Sequence, residues 1–247
     1  MENNLIYTKT ITISDTQVDR FDRLKPAALL EITQEVAATH AEQLGAGRKT
    51  LDPRNLFWAI VRQSIEIRRL PRKGETIVVE TWPAPATRTA FPRHIVAKTT
   101  AGEPLFQAAV LWLFMNRESR AMVLPGASGV DVPGIIRGME LPLPKGIPAK
   151  TFSREEHRTV RYSELDQNGH LNNTKYANWM EDLLPSQFHQ KHSLSRLHIC
   201  YMSEALEGQE ITLCWEQEDR QLHLSASRQG TEGQQWVFTL RAEYAGE

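Results

Sequence analysis

The sequence predicts an α+β protein built from two units of one plan. Three observations carry this expectation. A helical pattern followed by several strand patterns occurs twice, a proline- and glycine-rich stretch separates the two occurrences, and part of the first lies over the second without a gap. The 247 residues leave room for two units of roughly 100–150 residues each.

Thr10, Ile11, Thr12, Ile13 and Ser14 alternate polar and apolar side chains, the period of a strand. Residues 27–44 carry Leu29, Leu30, Ile32, Val36, Ala37 and Leu44 at helix-compatible positions, with Gly45 placed to stop the helix. Strands are expected near 56–69, 76–82, 91–99 and 105–116, the last two joined by a turn at Ala101-Gly102. Residues 125–150 then hold five prolines and five glycines. Proline removes backbone donors and glycine raises the entropic cost of order, so this is a linker expected to lie over a surface. Beyond it a second helix is expected over 173–184, with Tyr176, Ala177, Trp179, Met180, Leu183 and Leu184 as its apolar stripe. Strands near 197–203, 210–216, 221–227 and 236–244 complete the second half. The expected organisation is a domain over 1–124, a linker over 125–150 and a domain over 151–247, the two sheets packing edge to edge so that two exposed edges disappear.

Laying 62–82 over 196–216 pairs Gly74 with Gly208, Ile77 with Ile211 and Val79 with Leu213. It also puts Leu70 where Glu204 stands. With Asp19 placed on Asp166, Phe21 and Arg23 fall where Asn168 and His170 lie. The first half keeps the framework and lacks the polar set, so any reactive centre is single and belongs to the second half.

A composition of 40% apolar and 24% charged residues is that of an ordinary globular protein. The net charge of −1 gives no global attraction to nucleic acid or membrane, so a charged partner must meet a local patch. No apolar run approaches the ~20 residues that cross a bilayer, and the N-terminus lacks the basic and apolar regions of a signal peptide. Cys200 and Cys214 fit no metal spacing and are expected to be buried thiols in a reducing cytoplasm.

Chemistry concentrates in residues 161–181, RYSELDQNGHLNNTKYANWME. Asp166, Asn168 and His170 occupy every second position, so an extended segment would project them from one face. Asn172 or Asn173 is a suitable N-cap for the helix that follows, and the N–H groups at the helix mouth can receive a carbonyl oxygen that becomes anionic under attack. Hydrolysis of a thioester would use these parts. Its leaving thiolate, with a pKa near about 8.5, needs little acid help, whereas an activated water or nucleophile and oxyanion donors must be supplied. Asp166 or Glu204 would be base or nucleophile, while Asn168 and His170 would orient and donate. The competing reading is an Asx-rich turn that caps a structural helix. Against it stands the first half, which keeps the turn without the Asn and the His.

The string RYSELDQNGHLNNTKYANWMED resembles the motif of acyl-acyl carrier protein (acyl-ACP) thioesterases, in which Asp-x-Asn-x-His-x-Asn-Asn enters a helix ending in Trp-x-Glu. The resemblance extends through LLEITQEVAATHAEQLG, WAIVRQSIEIRRLPRKGETIVVETW and GEPLFQAAVLWLFMNRESR, nearly the whole chain. It implies a double hotdog fold, two helix-wrapped sheets joined by a linker. It also implies hydrolysis of acyl-ACP in fatty acid biosynthesis, with Asp166, Asn168, His170 and Glu204 as catalytic residues. Plant members carry a cysteine directly after that glutamate. Here the position is Ala205, and Cys200 and Cys214 lie in expected strands, so carboxylate chemistry with water is favoured over a thiol nucleophile.

By the same resemblance the acyl chain lies in the first half, near Leu29, Ile32, Val36 and Trp58, with Asn172 and Asn173 holding substrate at the helix mouth. The partner implied is acyl carrier protein with its acyl-phosphopantetheine arm. No metal or redox cofactor is required, and one chain, already a pseudo-dimer, would act as a monomer or homodimer. Arg62, Arg68, Arg69, Arg72 and Lys73 form a basic cluster suited to an acidic carrier, or alternatively a charged, protected strand edge. His40 and Glu42 are expected to be structural, His189 and His192 solvated, and Glu181 either a support for the site or a surface charge. The rival functions are hydrolysis of acyl-CoA, non-catalytic binding of an acylated carrier, and dehydration of hydroxyacyl thioesters.

Overall fold

The computed structural model of the protein describes residues 5–138, 140–231 and 233–246. Residues 1–4 and 247, at the ends of the expected domains, and 139, within the expected linker, lie outside the described residues, as does 232. The first half runs β1 (Tyr7–Thr12), α1 (Pro26–Gln43), the single turn α2 (Arg48–Leu51), β2 (Leu56–Ile67), β3 (Thr76–Pro83), β4 (Phe91–Thr99), β5 (Pro104–Asn116) and the short β6 (Met122–Val123). The second runs β7 (Arg154–Thr159), α3 (Lys175–Asp182), α4 (Ser186–Lys191), β8 (His192–Tyr201), β9 (Glu210–Glu218), β10 (Gln221–Gly230) and β11 (Gly233–Gly246).

All described strands belong to one antiparallel sheet in the order β1-β3-β4-β5-β2-β8-β11-β10-β9-β7, with β6 paired to β5. The two halves meet at β2 and β8, from Arg62 opposite Cys200 to Glu66 opposite Arg196. Arg196 also forms an ion pair with Glu66 across this junction (3.2 Å). The sheets are thus joined edge to edge, as the sequence predicts, and the architecture is the double hotdog.

Helix α1 begins with Pro26 in its first turn, where a missing N–H costs nothing, and ends before Gly45, whose φ of +73° is left-handed. Its Leu29, Leu30, Ile32 and Val36 are at most 2% exposed and pack in one core with Ile65, Ile77, Val79 and Ile95 of the sheet. Burying each such side chain stabilises the fold by about 1.5–3 kcal/mol. Helix α3 is shorter, and it lays Tyr176, Ala177, Trp179 and Met180 onto the second half of the sheet. Helix α3 falls within the expected 173–184, and a separate short helix not foreseen in the sequence, α4, starts after Pro185.

The linker crosses the face of the sheet away from the helices. Glu140 accepts a hydrogen bond from the Trp82 indole, the Ile147 N–H reaches Cys200 Sγ, the Ile147 carbonyl accepts from Thr239, and the Lys150 N–H reaches Ser225 Oγ. Gly134 passes so close to Ala84 that a Cβ there would stand 2.2 Å from the Ala84 carbonyl carbon. Both cysteines are buried free thiols, and no helix among the described residues is long and apolar enough to cross a membrane.

Candidate active site

Residues 165–171 form a tight loop closed by a bridge between Leu165 and Leu171. Asp166 N–H donates to the His170 carbonyl (2.7 Å), and Gly169 turns the chain with φ +78°. The Asp166 carboxylate folds inward, its Oδ1 accepting the N–H groups of Asn168 (2.7 Å) and His170 (3.2 Å). The expectation of an extended segment with three side chains on one face is therefore corrected. The loop turns back on itself, so Asp166 and His170 side chains take different directions.

The first half contains the same loop. Val18 bridges Leu24, Asp19 N–H donates to the Arg23 carbonyl (2.8 Å), and Asp19 Oδ1 accepts from Phe21 (2.8 Å) and Arg23 (3.0 Å). Asp166 thus has a framework role that its counterpart shares, while Asn168 and His170 have no counterparts.

His170 reaches its partner through main-chain pairing. Its bridge to Leu206, with the Leu171 N–H bonded to the Ala205 carbonyl (2.8 Å), sets the ring beside the segment that follows β8. There His170 Nε2 stands 3.4 Å from Glu204 Oε2. His170 is buried, whereas Glu204 keeps 43% of its side chain exposed. A third group, missed in the sequence, joins them. Arg120, between β5 and β6, donates to His170 Nε2 (2.8 Å) and lies 3.2 Å from Glu204 Oε1. Asn168 is exposed, and its amide makes one long contact, 3.4 Å to Asp166 Oδ2.

Beside this loop lies a cavity of about 400 Å³, lined mainly by the first half and bordered by Gln167 and Asn168. Its walls include Ala37, Ala38 and Ala41 of α1, with Phe57, Trp58, Phe91 and Trp112 of the sheet. Trp58 is held by a hydrogen bond from its indole N–H to the Ala46 carbonyl (2.8 Å). Of the residues expected around an acyl chain, Trp58 lines this cavity. Leu29, Ile32 and Val36 do not, because they interlock with the sheet in the sealed core. The cavity borders α1 at Ala37, Ala38, Thr39, Ala41 and Glu42, mostly small side chains. Arg93 also borders the cavity as a buried guanidinium, bonded to His40 Nδ1 (3.0 Å) and Thr81 (3.2 Å), and burial brings it down to about 10.

The helix mouth differs from expectation. The N-cap of α3 is Thr174, not Asn172 or Asn173. Asn172 spends its side chain on the Thr174 N–H (3.0 Å), and its carbonyl takes the Lys175 N–H (2.9 Å). The Asn173 carbonyl accepts from Tyr201 (3.4 Å). The Thr174 and Lys175 N–H groups at the helix start are therefore engaged, whereas the Asn168 amide borders the cavity.

The basic cluster is divided. Arg62 lies under the linker near Gly146, Arg69 is paired in two bonds with Glu75 (2.7 and 2.8 Å), and Lys73 with Asp15 (2.9 Å). Arg68 and Arg72 stay exposed, and Arg72 sits against the Asp19 loop through its bridge to Arg23. Glu42 accepts the Arg48 N–H. His189 and His192 are half-buried rather than solvated, bonded to the Glu181 and Phe188 carbonyls. Glu181 is neither a surface charge nor a support for His170. It faces Tyr244 and His189, and burial pushes its carboxyl up to about 6.

Fold and site together make this a double-hotdog protein with one furnished centre and one blank counterpart. Residues 4–124 match the acyl-ACP thioesterase N-terminal domain, and residues 148–243 match the C-terminal domain. The chain belongs to the acyl-ACP thioesterase family. Palmitoyl-acyl carrier protein thioesterase of Cuphea hookeriana is 25% identical over 262 residues, spanning 100% of this chain and 61% of that protein. Dodecanoyl-[acyl-carrier-protein] hydrolase of Cinnamomum camphora is 27% identical over 218 residues, 82% of this chain and 57% of that one. The chain thus spans about three-fifths of the length of such relatives. An acyl-ACP thioesterase structure from Bacteroides thetaiotaomicron superposes with a TM-score of 0.85 at 25% identity, covering 99% of this chain and 100% of that one. The 12:0-ACP thioesterase of Umbellularia californica, at 21% identity, shares the fold with a TM-score of 0.82 over 99% of this chain and 98% of its own.

Proposed function

We propose that this chain hydrolyses the thioester of acyl-ACP and releases a free fatty acid. The observation that carries this reading is the His170–Glu204 pair, two residues along the loop from Asn168, which itself lines a largely apolar cavity of about 400 Å³. The acyl chain would enter the cavity past Asn168 and leave its carbonyl near the loop. Glu204, open to solvent, accepts a proton from the attacking water, which His170 helps to orient. The Asn168 amide donates to the oxyanion, and Asp166 Oδ2 orients that amide. The thiolate then leaves without strong acid assistance.

In this reading Asp166 is a scaffold and an orienting group rather than the nucleophile, since one of its oxygens is occupied exactly as far as the Asp19 oxygen is in the half without the site. Arg68 and Arg72 would meet the acidic carrier, with Arg62 removed from the proposed surface by its place under the linker. Two buried free thiols support a reducing compartment such as the cytoplasm as the place of action.

The deciding experiment follows thiol release from one acyl chain carried by acyl carrier protein and by CoA, with His170→Ala and Glu204→Gln alongside. The expected result is preference for the carrier and a loss of about 100-fold or more in both variants. Equal or better turnover of acyl-CoA would reassign the substrate. Undiminished activity in both variants would remove the site.

A further inference from the structure

One cation of the site comes from the opposite half of the chain. Arg120 lies in the turn between β5 and β6, where Asn116 Oδ1 accepts the N–H groups of Glu118 (3.0 Å) and Ser119 (2.9 Å). The Asn116 N–H bonds to the Ala121 carbonyl (2.9 Å), and the Arg120 N–H to the Asn116 carbonyl (3.1 Å). Arg120 itself takes φ +55°, a left-handed conformation that favours glycine. A large charged residue retained in such a conformation points to a task for its side chain.

The side chain passes over the Phe57 ring, 5.3 Å from its centroid, and its guanidinium ends between two acceptors. A guanidinium only donates, so His170 accepts at Nε2 and, when neutral, carries its proton on Nδ1. The other arm of the fork reaches Glu204 Oε1. The His170 ring nitrogen and the Glu204 carboxylate, 3.4 Å apart, are thereby bridged by one rigid group rather than left as two facing acceptors.

We propose that Arg120 is a positioning residue for the hydrolysis described above: it holds Glu204 and His170 in register and selects the His170 tautomer. The inference rests on that functional reading. It also makes the centre a joint product of both halves, although all four residues expected from the sequence lie in the second.

Arg120→Gly tests this well, because it removes the guanidinium while relieving the left-handed backbone. The variant is expected to melt at or above the wild-type temperature. Its kcat is expected to fall about 100-fold, the scale of a misplaced catalytic group, with KM changed less than about threefold on carrier-borne and small thioesters alike. Arg120→Lys should recover little of the loss, since an ammonium cannot span both acceptors in a fixed plane, and added methylguanidinium should restore part of it in Arg120→Gly. Nitrogen-15 spectra should show His170 as the Nδ1–H tautomer in the wild type and a mixture in Arg120→Gln, a change that a purely structural role would not produce. Unchanged kcat in Arg120→Gly would overturn the proposal, as would a loss confined to KM for the carrier-borne substrate or a tautomer indifferent to Arg120. Should the wild type release no thiol from any thioester, the hydrolase reading fails instead, and the tautomer result still reports separately on the contact.

Discussion

Asp19 and Asp166 close the same loop in the two halves of the chain, each through one carboxylate oxygen that accepts the backbone N–H groups two and four residues ahead. The shared contact separates what holds the shape of the loop from the Asn168 and His170 side chains, which the first half lacks.

Asp166→Asn retains an oxygen for the two N–H groups and removes the charge that orients Asn168. Its melting temperature is expected to stay near that of the wild type while kcat falls about 10- to 100-fold. Asp166→Ala should show a similar kinetic loss and, in addition, about 1–3 kcal/mol lower stability in denaturant unfolding, because two N–H groups lose their acceptor. Full activity in Asp166→Asn would refute the orienting role.

Glu181 makes stability depend on pH. Its folded pKa of about 6 lies above the ordinary carboxylate value, so the folded protein binds the proton more tightly than the unfolded chain. The protonated form contributes its full stability below about pH 4.5, and that contribution is lost as pH rises toward about 6. The loss is roughly 2 kcal/mol. Glu181→Gln, which keeps an acceptor for Tyr244, should flatten unfolding free energy across this window and raise it at pH 8. A parallel pH profile in the variant would contradict the assignment.

The alanines of α1 are expected to set the depth available to substrate. Replacing Ala37 or Ala41 with leucine places extra carbon in the cavity and should shift hydrolysis toward shorter acyl chains in a panel of lengths. Leu29→Val, in the sealed core, should lower stability by about 0.5–1.5 kcal/mol without moving the length preference. If Leu29→Val shifts preference and Ala37→Leu does not, the acyl chain lies elsewhere.

Arg68→Glu combined with Arg72→Glu should raise KM for acyl-ACP several-fold and leave small thioesters unaffected, an effect that weakens with added salt. Loss of equal size on both substrates would assign these arginines to the fold.

Much of the framework was legible because it depends on local pattern. The Pro26–Gln43 helix matches the expected 27–44, Gly102 turns the expected hairpin with φ +91°, and Gly74 and Gly208, paired by the overlay, adopt φ +76° and +77°. The family resemblance names both His170 and Glu204, and the two stand 3.4 Å apart. Less legible were features fixed by three-dimensional contact. Asn172 looks like a helix cap, yet its side chain is used one step earlier in the turn. A helix face can be read from spacing, but the gap between helix and sheet depends on which residues are small, so Leu29, Ile32 and Val36 lie in the core while Ala37, Ala38 and Ala41 border the cavity. Arg120 follows a strand and a polar turn, which announces a hairpin and says nothing about a partner in the other half.

The β2–β8 junction has a further consequence. Its strength comes from backbone hydrogen bonds, which require strand shape and ask little of side-chain identity. Each half can therefore change its chemistry without loosening its hold on the other. The half that lacks the Asn and the His can differ from the half that carries them while the seam between them stays the same.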